Sequence, residues 1–81
     1  MISCAQYDYI EIACTYKYDI KLVFNSGSII IGKALDTQYN DNREECIKLL
    51  VEGDEIIVAL ESVIKMKAIE QNPYFVTVDF D

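Results

Sequence analysis

From Ser3 to Thr15 the chain reads SCAQYDYIEIACT, with apolar positions at helical spacing. At about 100° per residue Ile10, Ala13 and Cys14 fall on one side, Asp8 points nearly opposite, and Tyr7 and Glu11 flank it. Ser3 followed by Gln6 fits the capping box S-x-x-[EQ], in which the two side chains satisfy two of the backbone N–H groups at a helix start. The spacing predicts an N-terminal helix over CAQYDYIEIACT, with a core face and an outer face of Tyr7, Asp8 and Glu11. Acidic groups near a helix N-terminus are also what an ordinary solvated face carries.

After Tyr18 the period changes. DIKLVF alternates Ile20, Leu22 and Phe24 against Asp19, Lys21 and Val23, and Asn25, Ser26 and Gly27 form a turn signal. This predicts a hairpin into SIIIGKALD, where Gly32 suggests a bulge or sharp bend. TQYNDNR reads as a polar loop. EECIKLLVE fits both periods: Ile47, Leu49 and Val51 alternate as in a strand, while Cys46, Leu49 and Leu50 could line a helix. Its length and the turn at Gly53 and Asp54 favour a strand.

EIIVALES, VIKMKAI and, beyond the Asn72-Pro73 break, YFVTVDF complete a series of short strands at regular spacing. In VIKMKAI, Lys65 and Lys67 share one face and Met66 and Ala68 the other, as in a half-buried strand instead of a basic patch. There are no repeats or low-complexity tracts. The expectation is one α+β, mainly β domain over residues 1–81, its helix set on a strongly bent antiparallel barrel or sandwich.

Charge narrows the functional classes. Seven basic against fourteen acidic residues give a formal net charge of −7. Such a chain repels phosphate backbones, which disfavours a nucleic-acid ligand and favours a basic protein partner, or else serves solubility alone. Cys4 and Cys14 lie ten positions apart, roughly 15 Å along a helix, too far to bridge. All three cysteines are therefore expected to be reduced and buried. The chain contains no His and no paired-Cys spacing, so a Cys/His zinc site and a His-based triad are not expected, nor any other cofactor. With no signal segment and no long apolar run it reads as cytoplasmic, without a membrane partner.

GSIIIGKA, Gly27 to Ala34, matches seven of the eight positions of the phosphate-loop pattern G-x-x-x-x-G-K-[ST]. The chemistry is missing. Ala34 stands where a hydroxyl would hold Mg²⁺, Ile29, Ile30 and Ile31 favour an extended strand, and no amphipathic helix follows to meet a phosphate. The reading that survives is a strand, with Lys33 facing solvent.

ISCAQYDYIEIAC, with Gly27, KALD at 33 to 36, Glu44, Gly53, Leu60 and Ile64, resembles the Rho-binding antiterminator (Rof) family over Ile2 to about Ile69. The most specific piece is Ile2, Cys4, Tyr7, Asp8, Glu11, Ala13 and Cys14, at the spacing I-x-C-x-x-Y-D-x-x-E-x-A-C. The resemblance implies an Sm-like fold and a non-enzymatic inhibitor of transcription termination factor Rho. Such an inhibitor binds Rho's N-terminal RNA-binding domain, an OB-fold, and blocks RNA loading. Tyr7, Asp8 and Glu11 match the family's partner-contacting helix positions, and Asn42 matches a further contact position less specifically.

Two departures stand out. Ala5 and Gln6 occupy positions where the family carries acidic residues, and Asp41 stands where a basic one is expected. A monomer is expected. The alternative is an Sm-like RNA-binding protein; the net charge and the scatter of Lys residues along the chain weigh against it. An enzyme built on Glu44/Glu45 or Asp54/Glu55 is disfavoured because adjacent strand residues point to opposite faces.

Overall fold

The computed structural model describes residues 2–80. Helix α1 spans Cys4–Tyr16. The Ser3 side chain accepts from the Gln6 N–H at 3.2 Å, and Gln6 Oε1 accepts from the Ser3 N–H at 2.8 Å, which completes the capping box. The helix ends at Lys17, whose left-handed backbone (φ 56) turns its N–H back onto the Ala13 and Cys14 carbonyls. The Lys17 ammonium donates to the Cys14 carbonyl at 3.2 Å and to the Leu35 carbonyl at 2.6 Å, so the cap is tied to the sheet.

Six antiparallel strands follow: β1 (Asp19–Phe24), β2 (Ile29–Tyr39), β3 (Glu45–Val51), β4 (Asp54–Ala59), β5 (Val63–Ala68) and β6 (Thr77–Asp79), with a 3₁₀ turn at Leu60–Ser62 before β5. The hydrogen-bonded order is β4-β3-β2-β1-β5-β6. This is the expected helix plus bent antiparallel sheet, and the ambiguous EECIKLLVE segment is a strand.

Several details differ from expectation: Leu60–Ser62, read as the end of the EIIVALES strand, forms the 3₁₀ turn. Thr37, Gln38 and Tyr39 belong to β2 and pair with Ile47, Cys46 and Glu45, which shortens the polar loop to 40–44. β-Branched and aromatic residues opposite a strand favour the ladder over a loop, despite their polarity. Tyr74 and Phe75 lie outside β6, because Asn72 Oδ1 accepts from both their N–H groups, at 2.9 and 3.0 Å, and curls the chain after Pro73. Gly32 is not itself a bulge. The register shift in the β2–β3 pair falls between Ala34 and Asp36, and Gly32 instead permits close contact with the Leu50 backbone.

The core is formed by Ile10, Ala13 and Cys14 of α1 with Ile20, Leu22, Ala34, Ile47, Leu49, Val58, Leu60, Val63, Met66, Phe75, Val78 and Phe80. Each large side chain that is completely enclosed, such as Ile10, Leu22 or Leu49, contributes about 1.5–3 kcal/mol of transfer free energy. Cys14 and Cys46 are buried and free as expected, but Cys4 is free and exposed. It occupies the first helical position, before the chain turns its core face inward.

The phosphate-loop pattern dissolves in the fold. Gly27 (φ 89) forms the β1–β2 turn, its N–H donating to the Phe24 carbonyl, and the rest of the motif is strand β2. Lys33 is a strand residue on the outer side of β2 with a partly exposed side chain, as expected, and it is not unpaired. It pairs with Asp19 at 3.5 Å and donates to the Lys17 carbonyl at 3.3 Å.

Candidate functional site

Helix α1 packs its Ile10, Ala13 and Cys14 face onto the core and leaves Asp8 and Glu11 in solvent. Tyr7 departs from the expected outer face: it is half-buried and packs against the core cluster. Tyr7 lies three positions before Ile10, close enough around the helix for a large ring to lean inward.

Gln6, which stands where an acidic residue was expected, is a structural residue here. Its Oε1 closes the capping box, and its Nε2 donates to the Asp79 carbonyl at 2.7 Å, fastening the first turn of α1 to β6. A carboxylate could accept from Ser3 but could not donate to Asp79.

Glu11 borders a polar groove of ≈ 380 Å³ whose other walls are Cys14, Thr15, Lys17, Leu35, Asp36 and Thr37. Burial, with help from Asp36, pushes the Cys14 thiol up to about 11, so it stays protonated and unreactive at neutral pH. Asp36 is exposed and extends the acidic surface of Asp8 and Glu11 from the helix onto β2. Sequence reasoning passed over it because its position beside the helix depends on how α1 lies against β2.

Asn42 is exposed at the tip of the 40–44 loop. Asn40 organises that loop: its Oδ1 accepts from the Asn42 and Glu44 N–H groups at 2.9 and 3.0 Å, and its Nδ2 donates to Glu44 Oε1 at 3.0 Å. The Asn40 carbonyl also accepts from Arg43, which takes a left-handed φ of 62. The loop presents Asn42 outward as a preformed turn.

A second groove, of ≈ 540 Å³, is lined by Ile2, Glu44, Glu45, Leu60, Glu61, Val63 and Phe80. It brings the residue preceding the helix cap beside the base of the Asn42 loop, so the start of α1 and that loop occupy one end of the molecule. Glu44, Glu45 and Glu61 were not among the expected site residues. Among the described residues no group of His, Cys, Asp or Glu is placed to hold a metal ion.

The arrangement is an acidic surface formed by Asp8, Glu11 and Asp36. It can bind cationic groups.

No curated protein sequence matches the chain. The structure is similar to that of YaeO bound to magnesium from Vibrio cholerae O395, with a TM-score of 0.87 and 36% identity, covering 93% of this chain and 97% of that one. A family model described as modulator of Rho-dependent transcription termination (ROF) matches residues 1–80. The chain therefore belongs to the Rof family of modulators of Rho-dependent transcription termination.

Proposed function

We propose that this protein inhibits Rho by binding its N-terminal RNA-binding domain as a monomer, through the outer face of α1 and the Asn42 loop, and thereby excludes RNA from the primary site. The observation that carries this reading is the exposure of Asp8 and Glu11 on a helix whose opposite face is locked into the core. A groove built for single-stranded RNA offers cations to phosphates and apolar surfaces to bases. A rigid helix with two free carboxylates, and Asp36 alongside, competes for the cations. Tyr7 contributes the edge of a half-buried ring. Exclusion of this kind needs neither catalysis nor a cofactor, and its place of action is the cytoplasm, where Rho meets the transcript.

The test is charge reversal at Asp8 and Glu11 in a purified Rho-dependent termination assay. Asp8→Lys with Glu11→Lys replaces attraction by repulsion, a change of several kcal/mol at an interface, and is expected to abolish inhibition. Both residues are exposed, so the fold survives with a stability change of about 1 kcal/mol or less. Tyr7→Phe is the cleaner aromatic probe, because Tyr7→Ala would also remove a side chain packed on the core. An unchanged inhibition curve for the folded double Lys variant would reduce the helix face to a solvated surface.

A further inference from the structure

The seven basic residues are spread from Lys17 to Lys67 along the chain, yet the neighbouring strands β2, β1 and β5 gather four of them on one side of the sheet. In β1 the core-facing residues are Ile20 and Leu22, which places Lys21 and Val23 on the opposite side. Lys21 pairs directly with Lys67 of β5 and Ile31 of β2, and Val23 with Lys65 and Ile29. Asp19 pairs with Lys33 in the next row. Because α1 packs on the core side, this is the side of the sheet turned away from the acidic helix.

Lys33 and Lys65 have carboxylate partners, Asp19 at 3.5 Å and Asp79 at 3.6 Å. Lys21 and Lys67 have none among the described residues, although they stand directly opposite each other. Like charges in that position destabilise a sheet, so stability does not account for the pair. Beside the lysines, Ile29 and Ile31 form an apolar column on β2 that is 50% and 54% exposed.

We propose that this face docks an acidic amphipathic helix of a partner protein. The match is in charge and spacing. Alternate lysines along β5 are about 6.8 Å apart, close to the roughly 6 Å rise between carboxylates at i and i+4 of a helix. A helix lying along the strands would set a Glu stripe over the unpartnered Lys21 and Lys67, with Lys65 shared between it and Asp79, and a neighbouring Leu stripe over Ile29 and Ile31. An incoming carboxylate would also relieve the Lys21–Lys67 repulsion.

Single-stranded RNA fits less well, since stacking surfaces are what such sites add to their cations and this face offers isoleucines. The exposed tyrosines Tyr16 and Tyr74 stack on each other at 5.2 Å, with Tyr18 against Tyr16 at 5.5 Å, so these rings are already engaged. A second copy of the chain would bring its own charge of −7 against an equal one, which opposes self-association.

The test uses a fluorescein-labelled helical peptide of about 18 residues, long enough to be helical in isolation, with Glu and Leu stripes on adjacent faces over an Ala background. Fluorescence anisotropy is expected to show salt-sensitive binding that falls at least about tenfold in Lys21→Glu/Lys67→Glu. Arg43→Glu/Lys48→Glu, which changes the net charge equally but in the 40–44 loop and on β3, outside the β1–β5 lysine cluster, is expected to lose far less. Ile29→Ser/Ile31→Ser is expected to weaken binding by an amount that persists at raised salt. Lys21→Gln/Lys67→Gln replaces the charge reversal if circular dichroism shows that variant unfolded. Absence of peptide binding, equal losses in the two charge-reversed variants, or tighter binding of an oligouridine through the same lysines would each overturn the proposal, the last by assigning the face to RNA.

Discussion

Gly32→Ala sets two known effects against each other, and the structure decides between them. Gly32 lies in the interior of β2 outside the left-handed region, so Ala adopts its backbone without strain. On that ground alone the substitution would stabilise the protein by about 0.4–1 kcal/mol, because Ala narrows the unfolded ensemble. The added Cβ, however, would lie 2.7 Å from the Leu50 carbonyl oxygen and 2.8 Å from Val51 Cγ2. Val51 can turn away. The Leu50 carbonyl cannot, since Leu50 is paired with Lys33 on β2 and with Glu55 on β4.

Forcing a methyl into a packed site costs about 1–3 kcal/mol, and bending β3 away puts a ladder hydrogen bond worth about 1 kcal/mol at risk. The net expectation is a loss of about 1–2 kcal/mol, which lowers Tm by roughly 5–15 °C in a domain of this size. Thermal unfolding followed by circular dichroism measures it. Gly27 and Gly53 serve as controls of the opposite kind: a Cβ there meets nothing within 4 Å, but φ is +89 and +88. Substituting Asn for Ala should therefore recover stability at Gly27 and Gly53, since Asn tolerates left-handed backbone, and should recover none at Gly32. A Gly32→Ala protein with unchanged or raised Tm would refute the close-approach reasoning.

The remaining predictions concern the helix. Gln6→Ala removes the acceptor for Ser3 and the donor to Asp79 and is expected to lower stability by about 1–2 kcal/mol in denaturant unfolding; Gln6→Glu, which keeps the cap and gains a favourable dipole contact, is expected to lose less. Equal stability of Gln6→Ala and the parent would show that the tie to β6 contributes nothing. Titration with a thiol reagent near pH 8 is expected to modify Cys4 quickly and Cys14 and Cys46 only on unfolding, and rapid modification of all three would contradict their burial. Because burial raises the Cys14 thiol from 9.0 to about 11, the folded state holds that proton more tightly than the unfolded one. Its contribution to stability is thus complete below pH 9.0 and is lost as pH climbs through about 11. A Cys14→Ala variant should lack that alkaline component.

Much of the fold was legible because local chemistry and tertiary structure agree. The Ser3/Gln6 capping box and the Ile10/Ala13/Cys14 stripe specify α1, and alternation in DIKLVF specifies β1 and its inward residues. What failed was chemistry that depends on a partner across space. Thr37, Gln38 and Tyr39 look like loop until β3 lies opposite them, and Tyr74 and Phe75 look like strand until Asn72 captures their N–H groups. At the site, Asp8 and Glu11 could be placed outward from helical spacing alone. Tyr7 could not, since the reach of its ring toward the core depends on packing, and Asp36 joins the acidic surface only once α1 lies on β2.

The cationic face shows the same limit in sharper form. Net charge and the scatter of lysines argue against any anionic ligand when each strand is read by itself, and the period of two places Lys65 and Lys67 on a common side correctly. Alternation says which side of a strand a residue occupies, but only register says what stands beside it, and a slip of one position would move every side chain to the other face. The observed register sets Lys21 against Lys67 and both near the Ile29/Ile31 column. On the core side of the sheet, helix α1 packs its Ile10, Ala13 and Cys14 face inward and turns Asp8 and Glu11 outward. A chain of net charge −7 thus carries Asp8 and Glu11 on its helix and the Lys21–Lys67 pair on the side of the sheet turned away from that helix.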